Sequence, residues 1–193
     1  MSKLNFNRLE KTNYLEGIVT QDVLKACIAG HRESQELLYH YFSPKMFGIC
    51  LRYGHDYSTA EDLLQDGFIK VFNKLHLFRY EGSFEGWMKR IFINTSIEHY
   101  RKGNNRKFFV EIDQANEIAF DSMVIDQLAT QDLLKLVQKL PDGYRTVFNL
   151  YAIEGYNHKE IGKLLGISEG TSKSQLARAR ATLKRNIKLL SID

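Results

Sequence analysis

The side chains best suited to chemistry lie in the last part of the chain, between Glu169 and Leu190. With residues about 100° apart on a helix, Leu176, Ala179, Leu183, Ile187 and Leu190 form one apolar stripe. Thr171, Ser174, Arg178 and Arg185 fall on the opposite side, with Lys173 and Gln175 on its flanks. Short hydroxyls, an amide and arginines on one outward face suit the major groove of duplex DNA, because Gln and Arg bond base edges in pairs. The small residues Gly170 and Ser172 let the helix N-terminus approach a phosphate.

A second group mixes rings and cations. Phe78, Tyr80, Phe84 and Trp87 are interleaved with Arg79, Lys89 and Arg90, and Asn94 follows Arg90 by one helical turn. Single-stranded nucleic acid is held in this way, rings stacking at about 1–3 kcal/mol per base while cations hold phosphates. Phe84, Trp87 and Ile91 recur at helical spacing and are assigned to the core, whereas Phe78, Arg79 and Tyr80 sit in a loop and are open to a ligand. A third group is acidic. Glu61 with Gln65, and Asp62 with Asp66, stand four apart on the outer side of a helix that buries Leu64, Phe68, Val71 and Phe72. Like charges at that spacing repel weakly, and a basic partner would relieve them; by composition alone, an ordinary solvated face is the simpler account. The six histidines form no HExxH and no cluster with carboxylates, and there is no P-loop, GxGxxG or GxSxG. No catalysis, cofactor or bound metal is expected.

The elements that must position these groups read almost entirely as helix. The chain has 193 residues, 44% apolar and 26% charged, with prolines only at 44 and 141, enough for one ordinary domain or two small ones. Amphipathic segments fall near 21–29 and 33–53, and Ser58-Thr59-Ala60-Glu61 has the form of a capping box opening a helix to about Leu75. The aromatic loop follows, then a helix from about Phe84 to Lys102 stopped by Gly103-Asn104-Asn105. Segments at about 129–139 and 142–153 flank Leu140-Pro141. Asn157-His158-Lys159-Glu160 caps a short helix that Gly166 ends, and Ser168 caps the helix bearing the DNA-reading face, which is the helix-turn-helix pattern.

Charge divides the chain in the same places. Residues 1–105 carry 14 basic and 12 acidic side chains, 106–128 carry 2 and 5, and 129–190 carry 11 and 5. A nearly balanced block and a basic one thus flank an acidic linker, and the basic block is the candidate polyanion binder. Cys27 and Cys50 have no zinc or disulfide spacing and are expected as reduced, buried thiols. With no apolar signal core and no stretch of about 18 apolar residues, the expected location is cytoplasmic, without membrane insertion.

The run Tyr57-Ser58-Thr59-Ala60-Glu61-Asp62-Leu63-Leu64-Gln65-Asp66-Gly67-Phe68, the spacing Phe78, Phe84, Trp87, and Arg90-Ile91-Phe92-Ile93-Asn94-Thr95 resemble region 2 of bacterial RNA polymerase sigma factors. Leu140-Pro141 and the run from Gly155 to Leu176 look like region 4, and the short length matches the extracytoplasmic-function (ECF) class. The resemblance implies an all-α protein of two small helical domains: an N-terminal extension at 1–20, region 2 at 21–105, a linker at 106–128 and region 4 at 129–193.

It further implies that Glu61, Asp62, Gln65 and Asp66 dock on the clamp helices of the largest subunit of core RNA polymerase, with region 4 meeting the flap of the second-largest. Lys70, Phe78, Arg79, Tyr80 and Asn94 would engage the minus-ten strand around a flipped base, Arg90 and Arg101 tracking its backbone. Thr171, Lys173, Ser174, Gln175, Arg178 and Arg185 would read the minus-thirty-five duplex. The acidic linker would thread toward the active centre, and an anti-sigma factor is an expected partner. Gly162 stands where the family often has Ala, which is expected to weaken that helix by up to about 1 kcal/mol. A helix-turn-helix regulator acting without polymerase is the alternative, and residues 57–102 are what it would not need.

Overall fold

Eight helices account for nearly all of the residues described, 20–104 and 130–190, in a computed structural model of the chain. In order they are α1 (Gln21–Ile28), α2 (Arg32–Tyr53), α3 (Tyr57–Lys74), α4 (Phe84–Asn104), α5 (Thr130–Gln138), α6 (Asp142–Phe148), α7 (His158–Leu165) and α8 (Glu169–Leu190). A 3-10 turn, Leu75–Leu77, follows α3, and a π turn, Asn149–Ile153, follows α6. Among the described residues there is no strand, in keeping with the helical periodicity. The acidic linker at 106–128, nearly all of the N-terminal extension and the side chain of Leu190 lie outside the described residues.

Helices α2, α3 and α4 form the N-terminal bundle around Leu38, Phe42, Met46, Leu63, Phe68, Val71, Met88 and Phe92, all buried. The inner side of α3 differs from the periodicity reading: Ala60, Leu63, Gly67, Phe68 and Val71 are buried, while Leu64 and Phe72 are only half covered. The reason is Gly67. It lies flat under the Phe92 ring, with which a methyl group would overlap, so α3 rolls onto its glycine side to meet α4. The start of α3 also differs. Asp56, not Ser58, is the cap: its carboxylate accepts from the Thr59 amide at 2.7 Å, where a charged acceptor also benefits from the helix dipole.

In the C-terminal half, α5, α6 and α8 enclose Leu136, Val137, Leu140, Ala179, Leu183 and Ile187, so the apolar stripe of α8 is its core face. The helix-turn-helix forms as its sequence signals indicate. Asn157 and Glu160 complete a reciprocal capping box, Gly166 takes the left-handed conformation at φ 71°, and Ser168 accepts from the Thr171 amide. Gly162 reverses its expected role. A Cβ there would stand 2.8 Å from the Ile167 carbonyl oxygen, so the close approach of α7 to the turn requires glycine and offsets its poorer helix propensity.

The two halves meet at the C-terminus of α2. There the Leu51, Arg52 and Tyr53 carbonyls have run out of helical donors, and side chains from the other half cap all three. Gln138 Nε2 donates to Leu51 at 3.1 Å, Asn149 Nδ2 to Arg52 at 2.7 Å, and Arg145 Nε to Tyr53 at 2.9 Å. Arg145 is only 3% exposed and also donates to the Gln138 and Leu140 carbonyls and to Asp142. The π turn inserts one residue, leaving Asn149 and Leu150 buried while Glu154 reaches Arg52 at 3.0 Å.

Two outcomes test this account. Gly67→Ala should lose stability by about 1–3 kcal/mol through overpacking, despite alanine's better propensity, read as a lowered denaturant midpoint; an unchanged or raised midpoint would contradict the packing. Hydrogen bonds from the Thr59 amide and hydroxyl hold the Asp56 carboxyl below its ordinary value. Its contribution is therefore complete above the unfolded pKa of about 3.9 and is lost as pH falls through the lower folded value. Asp56→Ala should lower Tm at pH 7, with the gap to the native chain closing as the medium is acidified into that window.

Candidate nucleic-acid interface

Ser83 fixes the junction between the aromatic loop and α4. Its hydroxyl accepts from the Gly86 amide and its carbonyl from Trp87. Glu85 then anchors α4 to α2, bonding Lys45 at 2.8 Å and Lys89 at 2.9 Å, and these two ammonium groups hold its carboxyl below the ordinary range. On this base the loop rings cluster. Phe78 lies 5.0 Å from Tyr80, 5.1 Å from Phe84 and 5.5 Å from Trp87, centroid to centroid. Phe78 is therefore half-buried and braces the loop, whereas Arg79 and Tyr80 are exposed. Tyr80 is the one described non-glycine residue with positive φ, at 60°, a conformation costly enough that strained positions of this kind gather at ligand sites.

Along α4, Arg90, Asn94, Glu98 and Arg101 are all exposed and spaced by one turn. Lys70 reaches across from α3 to Glu98 at 2.6 Å, and this bond, offset in part by burial, lowers the Glu98 carboxyl. The structure thus places Lys70, Arg90, Asn94 and Arg101 along one polar strip, with Lys70 held by an acidic neighbour. Glu61, Asp62, Gln65 and Asp66 are exposed together on α3, between Tyr57 (62% exposed) and Ile69 (57%).

On α8 the predicted set divides. Lys173 and Arg185 are exposed, Lys173 bonding Glu169 at 2.9 Å. Thr171 and Ser174 are half-buried and bonded locally, Thr171 to Ser168 and Ser174 to the Thr171 carbonyl. Arg178 is half-buried with Nη1 3.3 Å from the Tyr144 hydroxyl. Gln175 is turned inward. It is packed on Gly143 of α6, its Oε1 is buried, and its amide bonds the hydroxyl of Tyr100 on α4, which burial pushes upward. Ser172 is fully buried, its Oγ 2.9 Å from His158 Nδ1, so α7 and α8 are pinned together beside the turn. Sequence reasoning passed over Gln138, Arg145, Asn149 and Tyr100. The available signal was Arg145 itself, a lone cation in the apolar run Tyr144 to Phe148.

Burial pushes the thiol of Cys27 up to about 11 and that of Cys50 to about 12, so neither is a ready nucleophile. Among the described residues no three His, Cys, Asp or Glu side chains gather as a metal site, and no helix is long and apolar enough to cross a membrane.

Comparison with known proteins bears on both halves. The sigma-70 region 2 family model matches residues 38–106, and the sigma-70 region 4 model matches 130–183. RNA polymerase sigma factor YlaC of Bacillus subtilis is 32% identical over 165 residues, 81% of this chain and 94% of that protein. The RNA polymerase sigma-H factor of Pseudomonas aeruginosa is 25% identical over 183 residues, covering 88% and 94% of the two chains. ECF RNA polymerase sigma factor SigW of Bacillus subtilis is 28% identical over 160 residues, covering 76% and 85%. Among solved structures, the sigma factor RpoE of Bartonella quintana, crystallised with the anti-sigma factor NepR, aligns with TM-score 0.47 and 23% identity, covering 79% of this chain and 96% of that one. With both sigma-70 regions present in order on one helical chain, and with relatives matched over most of their length, this chain belongs to the extracytoplasmic-function RNA polymerase sigma factors, which direct the polymerase to promoters.

Proposed function

We propose that the chain binds core RNA polymerase through the outer face of α3 and reads promoters at two places, with no chemistry of its own. The observation that carries this is the α3 face, where Glu61, Asp62, Gln65 and Asp66 are exposed together between two exposed apolar side chains, Tyr57 and Ile69. Acidic groups steer and orient a basic partner, and the two flanking apolar groups supply area to bury. Residues 21–105 then act as the polymerase-binding and minus-ten unit, 106–128 as the acidic linker and 129–193 as the minus-thirty-five unit. The partners are the clamp helices of the largest subunit, the flap of the second-largest, and promoter DNA. The site of action is the cytoplasm. An anti-sigma factor is a further partner, supported by the complexes in which sigma factors such as RpoE were crystallised.

In the minus-ten unit, Asn94 supplies an amide for a base edge, Tyr80 a ring, and Arg79, Arg90 and Arg101 the cations for phosphates; Lys70 joins them when Glu98 yields it. Phe78 keeps the loop in shape from behind. In the other unit, Lys173, Arg178 and Arg185 hold the duplex, and Thr171, Ser174 and Gln175 offer groups to its bases.

Run-off transcription with core polymerase on a promoter pool tests the whole. Specific transcripts are expected, and tight promoter binding with no association to core enzyme would instead support a stand-alone regulator. Asp62→Lys with Asp66→Lys should weaken association with core by about tenfold or more while leaving the unfolding midpoint nearly unchanged, since both side chains are exposed. Asn94→Ala should reduce permanganate reactivity of the melted strand more than closed-complex formation; equal losses would remove its role as a base reader.

A further inference from the structure

We propose that Lys70 and Lys74 of α3 and Lys102 of α4 form a site for a backbone phosphate of single-stranded DNA, and that the Glu98 carboxylate fills it until a strand displaces it. Lys70 crosses from α3 to bond Glu98 at 2.6 Å. Lys74 follows Lys70 by four residues on α3, and Lys102 follows Glu98 by four on α4, so each helix brings a further ammonium group to the same side one turn on. After the Lys70 bond, and against the opposing effect of burial, both charges help to hold the Glu98 carboxyl below its ordinary value. One carboxylate among three ammonium groups leaves an excess of positive charge, and Lys74, Glu98 and Lys102 are all exposed. Glu98 also stands between Asn94 and Arg101 on the polar strip of α4, so the site continues the path assigned above to the minus-ten strand and rests on that reading.

A brace between α3 and α4 is the ordinary account of such an ion pair. Those helices are already joined by the packing of Gly67 under Phe92, however, and a pair whose side chains are 30% and 53% exposed adds little to that. A brace also has no need of three cations for one carboxylate. A backbone phosphate carries one negative charge and accepts hydrogen bonds from ammonium groups as a carboxylate does. The exchange is therefore of one monoanion for another: the strand takes the lysines, and Glu98, already half exposed, turns to water without leaving a buried charge. Displacing Glu98 still costs free energy, so the carboxylate weakens binding that rests on phosphates alone. A strand whose base is also held at Asn94 and Tyr80 has further contacts with which to displace it.

The test uses the full chain and a fluorescent oligothymidylate of about 12 nucleotides, within the site sizes of single-strand binders. Its affinity is read by anisotropy over a range of salt. Glu98→Gln keeps the shape and removes the charge, and it should bind about threefold or more tightly. It should also steepen the fall of log K with log salt by about 0.7, the increment for one further phosphate contact on a single strand. In a background of Lys70→Met, Lys74→Met and Lys102→Met, the same Glu98→Gln change should alter neither quantity. Unchanged affinity and slope in Glu98→Gln would overturn the site, as would no binding by any variant at the lowest salt. A gain of equal size in the background without the lysines would also overturn it, because the carboxylate would then merely repel DNA. A lowered unfolding midpoint in Glu98→Gln with binding unchanged would return Glu98 to a brace. Run-off transcription is scored separately: absent transcripts beside the expected slopes would strike the promoter reading while the phosphate site stood.

Discussion

The C-terminus of α2 sets the constraint on which the rest of the arrangement depends. A helix must end with carbonyls that its own backbone does not satisfy, and burying them without donors is costly. Here Gly54 turns the chain so tightly toward α3 that an added Cβ would stand 3.0 Å from the Ala60 amide nitrogen, and only the Cys50 carbonyl finds a backbone donor, from Gly54 itself. The next three carbonyls are left to side chains from about 90 residues away in the sequence. A guanidinium suits this place, since it brings positive charge to the negative end of the helix dipole and its planar donors serve several carbonyls at once.

The same interaction bears on how strongly the joint holds. Each capped carbonyl would be solvated by water after opening, so an exchanged hydrogen bond is worth about 0.5–1.5 kcal/mol net rather than its full strength. Arg145 does not become an isolated buried charge on opening, because it retains the Gln138 and Leu140 carbonyls and Asp142 within its own half. Three such bonds are worth about 1.5–4.5 kcal/mol together, and the burial of Val147 and Leu150 in the shared apolar cluster adds to them.

What was legible in the sequence follows from the range of each signal. The caps of α7 and α8, the left-handed Gly166 and the stripe from Leu176 to Ile187 depend on residues within one or two turns, and all were readable. Ser58 was mistaken for the cap of α3 because a box motif and a lone aspartate two residues earlier look equally local; only the geometry of Asp56 decides. Leu63 was missed as core because periodicity does not see that Gly67 lets Phe92 pull the helix round. Arg145 stands out in the sequence as a lone cation among apolar neighbours, but its acceptors, the π turn and the inward Gln175 do not. Each depends on pairs such as Arg52 with Asn149, or Tyr100 with Gln175, whose members share no local pattern.

The two candidate interfaces are unequally exposed. Glu61, Asp62, Gln65 and Asp66 are exposed on α3, while Gln175 is packed on Gly143 and bonded to the Tyr100 hydroxyl of α4. The C-terminal half has a surplus of lysine and arginine, and phosphate contacts made by such groups carry affinity but no sequence information. On the reading proposed above, that information must come from Thr171, Ser174 and Gln175, each of which is half-buried in this structure.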